Sequence, residues 1–136
     1  DYRNHIKEGS MLNTPPVFAV YVCMLTLRWL KAQGGVAAIE KLNNEKAALL
    51  YAAIDESPLF TGTVNKEDRS KMNVCFVMND ASLEAPFLQF TKEQGIVGIK
   101  GHRLVGGFRA SLYNALPISS VQVLKQAMHE FALQYA

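Results

Sequence analysis

Apolar and polar positions along the chain recur with two periods, and these divide it into helices and short strands. The longest apolar run, residues 17–27, is closed by Arg28 and is shorter than the roughly 20 residues a bilayer span needs. Asn13-Thr14-Pro15-Pro16 precedes it and Gly34-Gly35 follows. Thr14 is the expected N-cap and Pro15 the expected first helical residue, so the pattern predicts a helix over 15–33. This helix is apolar nearly all round. It is expected to be buried on several sides, by a sheet, a neighbouring domain or a partner subunit.

A second helix is predicted over 35–55, with Val36, Ile39, Leu42, Leu49, Leu50 and Ala53 as its apolar stripe and Glu40, Lys41, Asn43, Asn44, Glu45 and Lys46 in water. Ser57-Pro58 stops it, and Thr61-Gly62-Thr63 opens a turn-rich stretch. The charge run Lys66-Glu67-Asp68-Arg69 reads as wet surface. Residues 72–78 read as a strand, after which Asp80 or Ser82 caps a helix over 82–94 that ends at Gly95. Residues 96–99 and 108–112 are strand candidates on either side of a glycine-rich bend. Pro117 and Ser119-Ser120 open a last amphipathic helix that offers Val121, Leu124, Met128, Phe131 and Leu133 to a core. Trp29 and Tyr51 sit at core spacing and read as packing. The order is helix, helix, strand, helix, strand, strand, helix. It specifies an α+β fold: a small antiparallel or mixed sheet of about three strands, with helices packed on one face. No repeat, low-complexity tract or linker divides residues 1–136, so one domain is expected.

Composition narrows the class. The 136 residues are 49% hydrophobic and 19% charged, with 14 Lys+Arg against 12 Asp+Glu and a net charge of +2. That balance excludes a disordered chain and a strongly basic nucleic-acid binder. Cys23 and Cys75 lie in apolar runs and read as small buried hydrophobes in a reducing, cytoplasmic compartment. The histidines His5, His102 and His129 are scattered, which gives no metal site. The opening Asp1-Tyr2-Arg3-Asn4-His5 has neither an initiator methionine nor a signal-peptide pattern, so a domain of a longer protein is expected.

Charge is unevenly spread. Five of the nine glycines fall between Gly95 and Gly107, and no Asp or Glu occurs between Glu93 and Glu130. Lys100, Arg103, Arg109 and Lys125 therefore create a local positive field, with His102 and His129 beside them. Glycines let backbone N–H groups approach a ligand, and arginine forks match carboxylate and phosphate oxygens. A small anion with two charged ends suits Arg103 and Arg109, one on each side of the Gly106-Gly107 bend. The same residues also fit ordinary surface cations on a hairpin whose glycines serve geometry alone. Asn13 and Thr14 offer a second anion site at the entry of a helix, where N–H groups are unpaired, or else a plain cap.

Three stretches together resemble one family. They are Asn13-Thr14-Pro15-Pro16, then Arg69-Ser70-Lys71-Met72-Asn73-Val74, then Gly98-Ile99-Lys100-Gly101-His102-Arg103 with Gly106-Gly107-Phe108-Arg109-Ala110-Ser111 and Tyr113-Asn114-Ala115-Leu116-Pro117. In order and spacing they resemble the phosphoserine aminotransferases, class-V pyridoxal-phosphate enzymes of fold type I, over essentially the whole chain. The resemblance implies the C-terminal small domain of such an enzyme. It also implies a homodimer in serine biosynthesis that exchanges an amino group between glutamate and 3-phosphohydroxypyruvate, giving 2-oxoglutarate and O-phosphoserine. It implies further that Arg109 pairs with the substrate α-carboxylate and that His102 and Arg103 contact the substrate phosphate. Asn13 and Thr14 would reach the cofactor phosphate in the neighbouring subunit. Phe108 stands where many relatives have Met, and Ile99 where many have Leu; both swaps are apolar. The imine-forming lysine, the aspartate facing the pyridine nitrogen and the ring-stacking aromatic belong to the family's large domain. No stretch here supplies them, so no catalytic residue is assigned and the chain alone is expected to be catalytically silent. Competing expectations are a stand-alone binding module for a small phosphorylated or dicarboxylic metabolite and, more weakly, an RNA-binding domain. The latter lacks a stacking platform beside its cations; neither nucleic acid nor membrane is expected as a partner.

Overall fold

The computed structural model describes residues 1–135. The chain divides into two compact units, Asp1–Ile39 and the part from Glu40 onward. The first holds α1 (Tyr2–Lys7), α2 (Val17–Ala32) and the first turn of α3 (Gly35–Glu56). The second holds the rest of α3, then β1 (Phe60–Gly62), β2 (Asn73–Met78), α4 (Glu84–Glu93), β3 (Phe108–Ser111) and α5 (Ile118–Tyr135).

In the first unit, α1 was not foreseen from the sequence, and α2 begins later than expected. Pro16, not Thr14, stands at its N-cap, and no side chain caps it. The proline pair explains the difference. A residue that precedes proline is pushed out of the helical region, so Pro15 cannot open a helix ahead of Pro16. Within its own unit α2 has no buried residue, and Phe18 is 80% exposed. The expected cover on several sides is not supplied there, and Cys23, expected to be buried, is exposed.

The second unit is built on a three-stranded antiparallel sheet in the order β1-β2-β3. Burial alternates along β2, so Val74, Phe76 and Met78 face one side and Asn73, Cys75 and Val77 the other. Register places Phe60 opposite Met78, Phe108 opposite Phe76 and Ala110 opposite Val74, which puts all the buried strand residues on one face. Leu50 and Ile54 of α3, Phe87 of α4 and Val121, Leu124, Met128 and Phe131 of α5 complete the core on that face. Helices on one face of a three-stranded sheet is the architecture the hydrophobic pattern specified. Phe87 is its hub, with ring centroids 5.0 Å from Phe60, 5.2 Å from Phe108 and 5.1 Å from Phe131.

Several details differ from the sequence reading. The third strand is β1, not 96–99. Gly98 has a positive φ of 78° and breaks extended backbone there, leaving only a bridge from Lys100 to Phe108. Asn43 and Lys46, expected in water, are buried, because they share the face of α3 that carries Ala47, Leu50 and Ile54. Leu133 is exposed and Cys75 is only half-buried. Arg69 is no wet surface residue either. Its guanidinium donates two hydrogen bonds to Asp55, of 2.9 and 2.7 Å, and lies 4.5 Å from the centroid of the Tyr51 ring. The Tyr51 hydroxyl in turn donates to the Ser70 carbonyl (3.0 Å). Ser70 Oγ accepts from the Met72 and Asn73 amides, and Asn73 Oδ1 accepts from Ser111 Oγ (3.3 Å). The Arg-Ser-x-Met-Asn string thus fastens α3 to the start of β2 and β2 to β3.

Candidate functional site

Between Ile99 and Arg109 the chain makes a narrow excursion. The Arg109 amide donates to the Ile99 carbonyl (2.8 Å) and the Gly101 amide to the Gly107 carbonyl (2.8 Å), which closes its base. Two glycines are required there. Gly107 has a φ of +60°, and a Cβ on it would lie 2.7 Å from the Phe76 carbonyl oxygen. A Cβ on Gly101 would run into the Gly106 and Gly107 carbonyls. At the tip, the Val105 and Gly106 amides both donate to the His102 carbonyl (2.9 and 2.8 Å).

His102 and Arg103 stand exposed on this tip. His102 Nδ1 accepts from the Leu104 amide (3.3 Å), so in the neutral imidazole Nε2 carries the hydrogen and remains a free donor. Arg109 lies on β3 opposite Cys75, on the sheet face turned away from the core, and is exposed. Among the described residues, neither Arg103 nor Arg109 is paired with an acid. One hairpin therefore presents two uncompensated guanidinium forks and an imidazole N–H. Such a set is chemically complementary to an anion with oxygens at both ends.

Asn13 and Thr14 lie in the other unit, on the exposed segment that enters α2. Their side chains make no hydrogen bond among the described residues, so both keep polar groups free for a ligand such as a phosphate. The structure thus brings His102, Arg103 and Arg109 together on one hairpin and leaves Asn13 and Thr14 in a separate unit. The sequence reading missed Asn43 and Lys46, which lie behind the hairpin's outgoing strand. Their signal was position: they continue the stripe of Ala47, Leu50 and Ile54 at helical spacing. Lys46 is fully buried, and its Nζ donates to the carbonyls of Leu112, Tyr113 and Leu116 at 3.2, 2.8 and 3.2 Å. Burial away from water lowers its pKa from the ordinary lysine value.

Among the described residues, no helix is long and apolar enough to cross a membrane, and no group of three or more His, Cys, Asp or Glu could hold a metal ion.

Comparison with known proteins points one way. The aminotransferase class-V family model matches residues 2–124. The phosphoserine aminotransferase of Porphyromonas gingivalis is 60% identical over 137 residues, covering 99% of this chain and 38% of the relative. That of Flavobacterium johnsoniae is 62% identical over 128 residues, covering 94% and 36%. Among solved structures, the phosphoserine aminotransferase of Bacillus circulans subsp. alkalophilus superposes with a TM-score of 0.91 at 40% identity, over 99% of this chain and 38% of that one. The PLP-bound phosphoserine aminotransferase of Trichomonas vaginalis gives a TM-score of 0.84 at 42% identity, over 95% and 37%. The chain spans about 38% of the length of the curated relatives it matches.

Proposed function

Because the chain belongs to the aminotransferase class-V family, we propose that it forms the substrate-binding part of a pyridoxal-phosphate-dependent phosphoserine aminotransferase. The whole enzyme interconverts glutamate and 3-phosphohydroxypyruvate with 2-oxoglutarate and O-phosphoserine. The observation that carries this reading is the 99–109 hairpin, whose two arginines have no acidic partner. In it Arg109 forks onto the α-carboxylate, which both amino-acid substrates share. His102 and Arg103 take the phosphate at the other end, His102 through the Nε2 hydrogen that its Leu104 contact leaves free.

The residues present fit the phosphate end of the cofactor and not its ring. Asn13 and Thr14 are neutral, uncommitted polar groups on the segment that enters α2, chemistry that suits a phosphate ester. When bound, pyridoxal phosphate supplies the aldehyde and electron-withdrawing ring through which the amino group is carried. Lys46 is no candidate for the imine-forming lysine, since its three hydrogens are committed to carbonyls. This chain then orients substrate and cofactor, is catalytically silent by itself, and contributes its substrate-binding domain and leading helix to a larger polypeptide. The unburied apolar surface of α2, with Val17 65% and Phe18 80% exposed, supports a homodimer in which Asn13 and Thr14 serve the neighbouring subunit's cofactor. The free thiols fit a reducing cytoplasm.

Substitution in the full-length enzyme tests the roles. Arg109→Ala should lower kcat/KM on the order of 10- to 100-fold for glutamate and phosphoserine alike, the loss expected for a charge-assisted fork. Arg103→Ala should cost phosphoserine several-fold more than glutamate, because a phosphate dianion presents more oxygens and more charge than a distal carboxylate. Equal losses for both substrates in the Arg103 variant would contradict the phosphate role.

A further inference from the structure

Lys46 has no acidic partner, yet a buried ammonium is costly unless every hydrogen finds an acceptor. Here three hydrogens meet three carbonyls, those of Leu112, Tyr113 and Leu116. These carbonyls belong to the stretch between the end of β3 at Ser111 and the start of α5 at Ile118, where no sheet ladder can satisfy them. Three residues earlier on α3, the Asn43 amide donates to Asn114 Oδ1 (2.8 Å) in the same turn. The Leu116 amide closes that turn onto the Tyr113 carbonyl (2.9 Å). The Tyr-Asn-Ala-Leu-Pro string, which carried much of the family resemblance without any role of its own, is therefore the part of the chain that α3 grips.

That grip lies just beyond the end of the strand that carries Arg109. The incoming end of β3 is fixed by the Arg109 amide on Ile99, and the outgoing end by the Leu112 amide on the Met72 carbonyl (2.7 Å) and by Lys46. β3 is only four residues long, so Arg109 sits three residues from the first carbonyl that Lys46 holds. Without the ammonium, three inward carbonyls lose their partner and must turn toward other donors. The twist of the strand end then changes, and Arg109 with it. Nothing comparable ties Lys46 to His102 or Arg103, which stand beyond the opposite end of β3.

We propose that Lys46, seconded by Asn43, is a positioning residue for substrate-carboxylate recognition, acting on Arg109 through the carbonyls of the turn at residues 112–116. The inference rests on the reading of Arg109 as the carboxylate fork. The test compares the full-length enzyme with its Lys46→Met, Lys46→Gln and Arg109→Lys variants. Lys46→Met keeps the apolar stem and removes all three donors. It should raise KM for both glutamate and phosphoserine about tenfold, within the cost of a displacement on the order of 1 Å. Inhibition by inorganic phosphate, which reports the His102–Arg103 end, should stay within about twofold of wild type. Hydrogen exchange at the Leu112 and Leu116 amides should quicken, and Lys46→Gln, with two amide hydrogens, should lie in between. A folded Lys46→Met enzyme with wild-type KM values overturns the proposal and leaves Lys46 a purely structural residue. So does a loss of phosphate inhibition equal to the rise in KM, which marks a general collapse of the hairpin. If Lys46→Met does not fold, the same readings on Lys46→Gln decide. If Arg109→Lys leaves both KM values unchanged, the carboxylate reading itself fails, and that outcome is distinct from a change in Arg109 without one in Lys46.

Discussion

Gly106 and Gly107 are adjacent and both have positive φ, +78° and +60°, but only one is crowded. A Cβ on Gly106 would meet nothing within 4 Å, whereas one on Gly107 would lie 2.7 Å from the Phe76 carbonyl oxygen and 2.8 Å from Val77 Cγ1. Gly106→Ala therefore isolates backbone strain. A left-handed non-glycine residue costs roughly 1–2 kcal/mol, partly offset by the lower entropy of the unfolded alanine chain, for a net of about 1 kcal/mol. Gly107→Ala adds the clash. The Phe76 oxygen belongs to the central strand and cannot rotate aside, so either β2 or the hairpin base must shift. Overpacking of this kind adds roughly 1–3 kcal/mol, for a total of about 2–4 kcal/mol. Hydrogen exchange of the Phe76, Phe108 and Ala110 amides reads the local cost on the sheet itself. In the full-length enzyme, inhibition by inorganic phosphate would read its effect on the phosphate contacts proposed for His102 and Arg103. Gly107→Ala should loosen both, and Gly106→Ala should leave exchange in β2 and β3 near wild type. Equal effects from the two alanines would refute the steric argument and reduce both glycines to turn formers.

Two further outcomes follow from the packing. The hydrogen bonds from Arg69, assisted by Lys66, hold the Asp55 carboxyl at about 2, below its ordinary 3.8. A carboxyl lowered on folding stabilises above its unfolded value and loses that stabilisation as pH falls through the folded one. With the Asp55 side chain 30% exposed, screening leaves about 1 kcal/mol of it. Asp55→Asn should therefore speed exchange of the Met72 and Asn73 amides about fivefold at neutral pH, with the gap from wild type closing between about pH 4 and pH 2. A gap independent of pH would rule out the ion pair as its cause. Phe87→Ala should cost about 3–5 kcal/mol, seen as a lower urea midpoint, since the ring is fully buried against three others. Phe90→Ala should cost clearly less, because that ring is only half-buried and meets Phe131 alone among the aromatic rings; similar losses would deny Phe87 its central place.

The parts of the fold that were legible in the sequence are those in which periodicity and burial coincide. β2 alternates in burial along its whole length, and α5 repeats Val121, Leu124, Met128 and Phe131 on one face. Errors fell where a local backbone restriction or a tertiary partner overrode the hydrophobic pattern. Pro16 overrode Thr14 as the helix start, and Gly98 broke a strand that local hydrophobicity favoured. β1 was missed because it has only three residues, one of them Gly62, and its pairing with β2 is a tertiary fact. Lys46 and Asn43 were misread for the same reason. Polar residue type outweighed helical phase, although phase placed them on the buried stripe and the partners that make burial tolerable lie 66 to 71 residues away.

The same distance from sequence explains why the candidate site could be suspected without being told apart from surface charge. Arg69, Arg103 and Arg109 are indistinguishable as residue types, and all three fall in strings that resemble the family. Folding separates them by their partners. Arg69 is neutralised by Asp55, and its side chain is 13% exposed, so its charge is spent on structure. Lys46 shows a second way to settle a cation, with carbonyls in place of an acid. Arg103 and Arg109 receive neither treatment: they stand exposed on a hairpin whose base is fixed by Gly101 and Gly107. A rigid base lowers the ordering cost of gripping a ligand, and the absence of acid between Glu93 and Glu130 leaves no competing partner nearby in the chain. It is this pairing of a fixed backbone with uncompensated charge, more than the count of arginines, that supports the proposal of an anionic substrate at the hairpin.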